Sequence, residues 1–170
     1  DMHAKVLSAG PFGIEAFPVE VEVNVSRSNF GAIALVGLPD AAVKESLERV
    51  HAAIQNCGYH YRVHRLTINL APADVRKEGP SFDLPMAVGI LLASEQIASE
   101  KLGDYMVIGE LALDGRLRRV KGALSMACRA AAEAIVSSTG LEIGSQLALA
   151  IKSIDDRHDL LHVIGQVDQI

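Results

Sequence analysis

At 170 residues the chain suits one compact domain with a single core. An apolar fraction of 49% and a charged fraction of 22% exclude wholesale disorder. Sixteen Lys and Arg against 21 Asp and Glu, a formal charge of −5, exclude a dedicated nucleic-acid coat but leave room for a local basic patch.

The two cysteines, Cys57 and Cys128, lack the close pairing of a zinc or redox motif. Both fall on the apolar side of an expected helix, so they are expected as buried free thiols in a reducing, cytoplasmic setting. The longest apolar run, 84–93, is too short to cross a bilayer, and no membrane partner is expected. No signal peptide is expected before the first strand, and Asp1 in front of Met2 reads as a cloning remnant.

In chain order, Ala4 to Ser8 is expected as a strand, with Gly10-Pro11 and Gly13 as turn residues. Residues 18–26 alternate strictly, with Val19, Val21, Val23 and Val25 on one face and Glu20, Glu22 and Asn24 on the other, the mark of a half-buried strand. Ala32 to Val36 reads as a third strand. Asp40 is placed to cap a helix whose apolar stripe is Val43, Leu47, Val50, Ile54 and Cys57. Glu45 and Arg49 form an i,i+4 pair on it, and Gly58 stops it. Arg65 to Leu70 alternates as a strand, and a loop from Ala71 to Phe82 leads to a second helix of about 13 residues from Asp83. That helix is apolar on nearly every side and should be buried, with Pro85 tolerated in its first turn. Short strands are expected at Met106 to Gly109 and Ala112 to Asp114, with Asp114-Gly115 as a hairpin signal. An Ala-rich helix from Gly122 to Ile135, a strand at 147–151 and a last helix capped by Asp155 or Asp156 complete one α+β domain over 1–170.

No Lys follows a Gly, so the phosphate loop G-x-x-x-x-G-K-[ST] is absent, and so is G-x-G-x-x-G. His158 and His162 stand four apart on an expected helix but lack a third ligand, and His60 and His64 read as surface residues. Arg116, Arg118, Arg119 and Lys121 form the strongest basic cluster; strand alternation would put Arg116 and Arg118 on one face, to meet phosphates or an acidic partner, or to guard a sheet edge with charge.

Arg76 to Asp83, RKEGPSFD, lies between a strand and a buried helix. A serine there can be a nucleophile, because a helix N-terminus stabilises a developing oxyanion; it can equally be an N-cap, with Asp83 as competitor. Arg76, Lys77 and Glu78 are open to two readings, an inter-subunit surface or a solvated loop.

Gly79-Pro80-Ser81 and the phrase GELALDGRLRRVKGAL, Gly109 to Leu124, resemble the two blocks of the Lon-type proteolytic domain. The resemblance puts Ser81 at the position of the Lon nucleophile and Leu124 at that of its lysine base. Leucine accepts no proton, and Phe82 and Asp83 stand where Lon has small residues, so the resemblance implies lost proteolysis. Lys121, three positions from Leu124, is the available substitute.

The phrases AKVLSAGPFGIEA, VGLPDAAVKES, INLAPADVRKEGPSFDLPMAVGILLAS and GELALDGRLRRVKG are similar to the N-terminal domain of the ComM/YifB family of magnesium-chelatase-like AAA+ proteins. This resemblance runs to about Ala132, beyond which Ser137-Ser138-Thr139-Gly140 replaces an apolar strand with a Pro. It implies a ribosomal protein S5 domain 2-like fold and an ATPase module downstream that binds ATP and Mg. It also implies a ring of neighbouring subunits as partners and an association with DNA in transformation through the parent protein. No cofactor is expected in this chain itself.

Overall fold

Strict alternation of valines builds the centre of the sheet. The computed structural model describes residues 2–26, 31–61, 65–100, 102–123 and 125–128. Strand β2 (Glu15–Ser26) buries Val19, Val21, Val23 and Val25 and turns its polar side chains outward. It pairs antiparallel with β1 (Met2–Phe12) on one side and β4 (Arg65–Ala71) on the other. Strand β3 (Ala32–Val36) adds to β4 in parallel, so the four strands run β1-β2-β4-β3.

On the open face, Lys5 lies 2.9 Å from Glu20 and 3.3 Å from Glu22, and Asn69 donates to Glu22 at 3.0 Å. Lys5, Glu22 and Asn69 are cross-strand partners in register and Glu20 is the diagonal neighbour of Lys5, the arrangement by which polar pairs stabilise a sheet face. The Asn69 amide, followed by the neighbouring groups, holds the Glu22 carboxyl below its ordinary range.

Gly10 and Pro11, expected as turn residues, instead continue β1. A Cβ on Gly10 would sit 2.8 Å from the Phe17 ring and 3.3 Å from Phe82, so this position serves close approach of two aromatic rings. Pro11 is tolerated because β1 lies at the sheet's end. The turn is the two-residue loop Gly13-Ile14 between paired Phe12 and Glu15, with φ of +60° at Gly13, as a type II′ hairpin requires.

Helix α1 (Ala41–Asn56) connects β3 to β4 and begins as expected: the Asp40 carboxylate accepts the Val43 N–H at 2.7 Å. Gly58, at φ +85°, ends it in a Schellman arrangement, with the Tyr59 N–H on the Ile54 carbonyl and the Gly58 N–H on Gln55. A 3-10 turn (Pro80–Phe82) runs into α2 (Asp83–Ala93), which is buried on nearly every side, as its composition demands. It packs on β1, β2 and α1. At 11 residues it is shorter than expected, because the Ser94 hydroxyl donates back to the Ile90 carbonyl at 2.7 Å and Glu95 turns at positive φ.

After a second 3-10 turn (Leu102–Asp104), β5 (Glu110–Leu111) and β6 (Leu117–Arg118) form a small antiparallel pair. The strands expected at 106–109 and 112–114 are displaced. Met106 makes only an isolated bridge to Leu7, and 112–115 form the turn, closed by Ala112 N–H on Arg116 and Gly115 N–H on Ala112. Cys57 is half-buried against the core, but Cys128 is exposed, contrary to the expectation of two buried thiols. The architecture is α+β, a mixed sheet packed with helices.

Among the described residues no helix is long and apolar enough to cross a membrane, and no group of three His, Cys, Asp or Glu is placed to hold a metal ion. Leu124, His64, most of the expected helix 122–135, the expected strand 147–151 and the last helix with His158 and His162 lie outside the described residues.

Candidate functional site

The segment 76–83 is held at both ends by Asp40 and Arg49. Asp40 donates its N–H to the Lys77 carbonyl at 3.0 Å, and the Lys77 N–H donates to Leu38 at 3.1 Å. The second oxygen of the Asp40 carboxylate accepts the Gly79 N–H at 3.3 Å. One residue thus caps α1 and fastens the loop before α2.

Lys77 is fully buried, and its ammonium donates to the Pro72 carbonyl. Burial pushes its pKa below the ordinary lysine value, against the attraction of Asp74. The expected surface of Arg76, Lys77 and Glu78 is therefore corrected: Arg76 and Glu78 face solvent, 3.5 Å apart, while Lys77 holds the loop from inside.

Asp83 is also fully buried and does not cap a helix. It accepts Arg49 Nε at 2.7 Å and Nη2 at 3.1 Å, and the Leu111 N–H at 3.0 Å. The sequence pairs Arg49 with Glu45, yet that contact is 4.0 Å and Arg49 turns to Asp83 instead. Asp83 raises the Arg49 pKa first through its hydrogen bond, an effect opposed by desolvation.

Ser81 caps nothing either. It is 4% exposed, and its hydroxyl has no hydrogen-bond partner among the described residues. Its carbonyl accepts the Gly109 N–H at 2.9 Å, and the Leu84 N–H donates to the Gly109 carbonyl at 3.0 Å. Gly109 thereby ties the second sequence block to the start of α2. The β5–β6 register, Glu110 with Arg118 and Leu111 with Leu117, then carries 119–121 back past Gly109 toward Ser81.

The result is a cleft of about 560 Å³, lined by Ser81, Gly79, Glu78, Glu110, Arg119 and Lys121, with Pro11, Asp40, Pro80 and Val120 completing its wall. The structure therefore brings Ser81 and Lys121 to one cleft, a meeting their separation in sequence left open. It divides the expected basic cluster: Arg119 and Lys121 line this cleft, while Arg116 is held by Asp114 at 2.8 Å and Arg118 is exposed. The lone sequence signal for this folding-back is the Asp114-Gly115 turn.

The model of the family described as subunit ChlI of Mg-chelatase matches residues 21–138. The chain belongs to this family. Among relatives, YifB of Escherichia coli (strain K12) is 51% identical over 118 residues, 69% of this chain and 23% of its own length. YifB of Salmonella typhimurium (strain LT2) is 40% identical over 177 residues, 96% of this chain and 35% of its own length. Competence protein ComM of Haemophilus influenzae (strain Rd) is 46% identical over 121 residues, 71% of this chain and 24% of its own length. The chain therefore spans between about a quarter and a third of these relatives, within the ComM/YifB branch of the family.

Proposed function

We propose that this chain is the non-catalytic N-terminal accessory domain, ribosomal protein S5 domain 2-like in fold, of a cytoplasmic magnesium-chelatase-like AAA+ ATPase of the competence and DNA-recombination type. The observation that carries the reading is the family match over 21–138 combined with relatives three to four times longer than the matched stretch. The domain serves assembly of the ring or guidance of its substrate, and ATP and Mg bind the downstream module. Contact with DNA through Arg116, Arg118, Arg119 and Lys121 is the weaker role, since Arg119 and Lys121 stand in a cleft with three carboxylates and Arg116 is paired with Asp114.

The test is the coding sequence beyond Ile170 and the protein it encodes. The reading expects a phosphate loop downstream, ATP-dependent assembly that falters when this domain is deleted, and ATPase activity indifferent to Ser81→Ala. A downstream sequence without a phosphate loop sinks it.

A second reading, a Lon-type serine peptidase with a displaced base, is favoured by one observation: Ser81 and Lys121 line the same cleft. Lys121 would take the Ser81 proton in place of the lysine that Leu124 replaces. A serine-directed phosphonate probe on the ATP-supplied full-length protein decides it. Labelling abolished by Ser81→Ala and by Lys121→Gln supports it; no Ser81-dependent labelling retires it.

A further inference from the structure

We propose that the Ser81 cleft is a binding pocket for the C-terminal carboxylate of a peptide that ends in an apolar residue. The proposal deepens the accessory-domain reading by assigning that domain a ligand class.

Three independent features converge on a carboxylate. The Ser81 hydroxyl is a buried donor without a partner among the described residues, and such groups ordinarily find one. Ser81 also stands in the first turn of the helical run 80–93, where the N–H groups of Ser81 and Phe82 have no intrahelical acceptor and the positive end of the helix dipole lies. Lys121 adds a cation to the cleft lining, beside Arg119.

The lining also disfavours more highly charged anions. Asp40, Glu78 and Glu110 also line the cleft, so its carboxylates outnumber its cations. A phosphate dianion or the polyanionic backbone of a nucleic acid meets more of that repulsion than a single carboxylate does. Asp40 is already engaged by two N–H groups and Glu78 lies near Arg76. Glu110, which also feels the Arg49 charge, lines the cleft where it can accept an N–H from a peptide backbone.

The rest of the lining suits an apolar body. Pro11, Pro80 and Val120 give the cleft apolar surface. Directly after Pro11 the β1–β2 hairpin presents Phe12 and Ile14, which are 68% and 93% exposed. Together they offer apolar surface to the body of a peptide that reaches past Pro11. The cleft volume of about 560 Å³ lies within the range of small-ligand sites.

The experiment is titration of the ¹⁵N-labelled full chain with N-acetyl-leucine, N-acetyl-leucinamide, inorganic phosphate and a single-stranded oligonucleotide, followed by backbone amide shifts. The free acid is expected to shift Ser81, Phe82, Val120 and Lys121, and the amide to leave them in place. Ser81→Ala and Lys121→Gln are each expected to weaken the acid about tenfold, the loss of one hydrogen bond or ion contact to a charged acceptor. Lys121 is exposed, so its substitution leaves the core intact and the comparison interpretable. Equal shifts by the amide, stronger shifts by phosphate or oligonucleotide, or no shifts at all overturn the proposal. A downstream sequence lacking a phosphate loop would sink the accessory-domain reading without touching this result, so the two fail separately.

Discussion

Arg49 on α1 and Asp83 at the start of α2 hold one another at two points, Nε to Oδ2 at 2.7 Å and Nη2 to Oδ1 at 3.1 Å. The same carboxylate accepts the Leu111 N–H, so one buried charge joins both helices to the strand that leads to the cleft. Replacing Arg49 by Met leaves that charge buried without its cation, at a cost of about 3–5 kcal/mol. The double variant Arg49→Met with Asp83→Leu is expected to recover part of the loss, less the unpaired Leu111 N–H. Urea unfolding of the four proteins in the cycle measures it.

Ser81→Ala is expected to leave stability unchanged or slightly raised. A helix cap replaced by Ala would cost about 1 kcal/mol, but the Ser81 hydroxyl makes no cap bond. A clear loss of stability in chemical denaturation would restore the capping role.

Gly89 lies where α2 crosses the sheet, and a Cβ there would stand 2.7 Å from Cγ2 of Val23 and 3.6 Å from Val6. Gly89→Ala gains about 1 kcal/mol of helix propensity. Overpacking a fully formed core costs about 1–3 kcal/mol, so the variant is expected to be net destabilised. Adding Val23→Ala should relieve the clash, and the thermal midpoints of the single and double variants show whether it does.

Lys77 ionises below the ordinary lysine value of 10.5 because it is buried. Between its folded value and 10.5 the native state has released a proton that the unfolded chain still holds, so stability rises with pH across that window. Lys77→Met removes this slope. Unfolding free energies measured from neutral pH upward should converge or cross for the two proteins as the wild type gains.

Tyr61 shows the opposite sign. Burial, then the charge of Glu48, pushes its phenol from 10 up to about 12. Between those values the native state keeps a proton that the unfolded chain loses, so this group contributes stability that declines as pH rises. Tyr61→Phe should abolish the phenolate absorbance step near pH 12 attributed to this residue. At neutral pH it should cost little, because its buried hydroxyl has no partner among the described residues.

Local chemistry made much of the frame readable in advance. The valines of β2 announce their inward face by period two, and Asp40 and Gly58 announce the ends of α1, because alternation and capping depend on neighbours within a few residues. The Asp114-Gly115 turn was legible too, though its strands were misplaced by a few residues, since such short pairs carry little periodicity of their own. Gly10-Pro11 misled for a related reason: the residues usually punctuate turns, but here the demand came from two aromatic rings that only the folded chain brings near.

The sequence by itself determined the family, the α+β class, the alternating sheet and the absence of a phosphate loop, all properties of residue type and spacing along the chain. Only the tertiary structure decided that Lys77 is inside, that Arg49 serves Asp83, that Ser81 caps nothing, and that Lys121 shares its cleft. Each of these depends on groups brought together across long stretches of chain, where burial and the direction of a side chain, rather than its identity, determine which partner it finds.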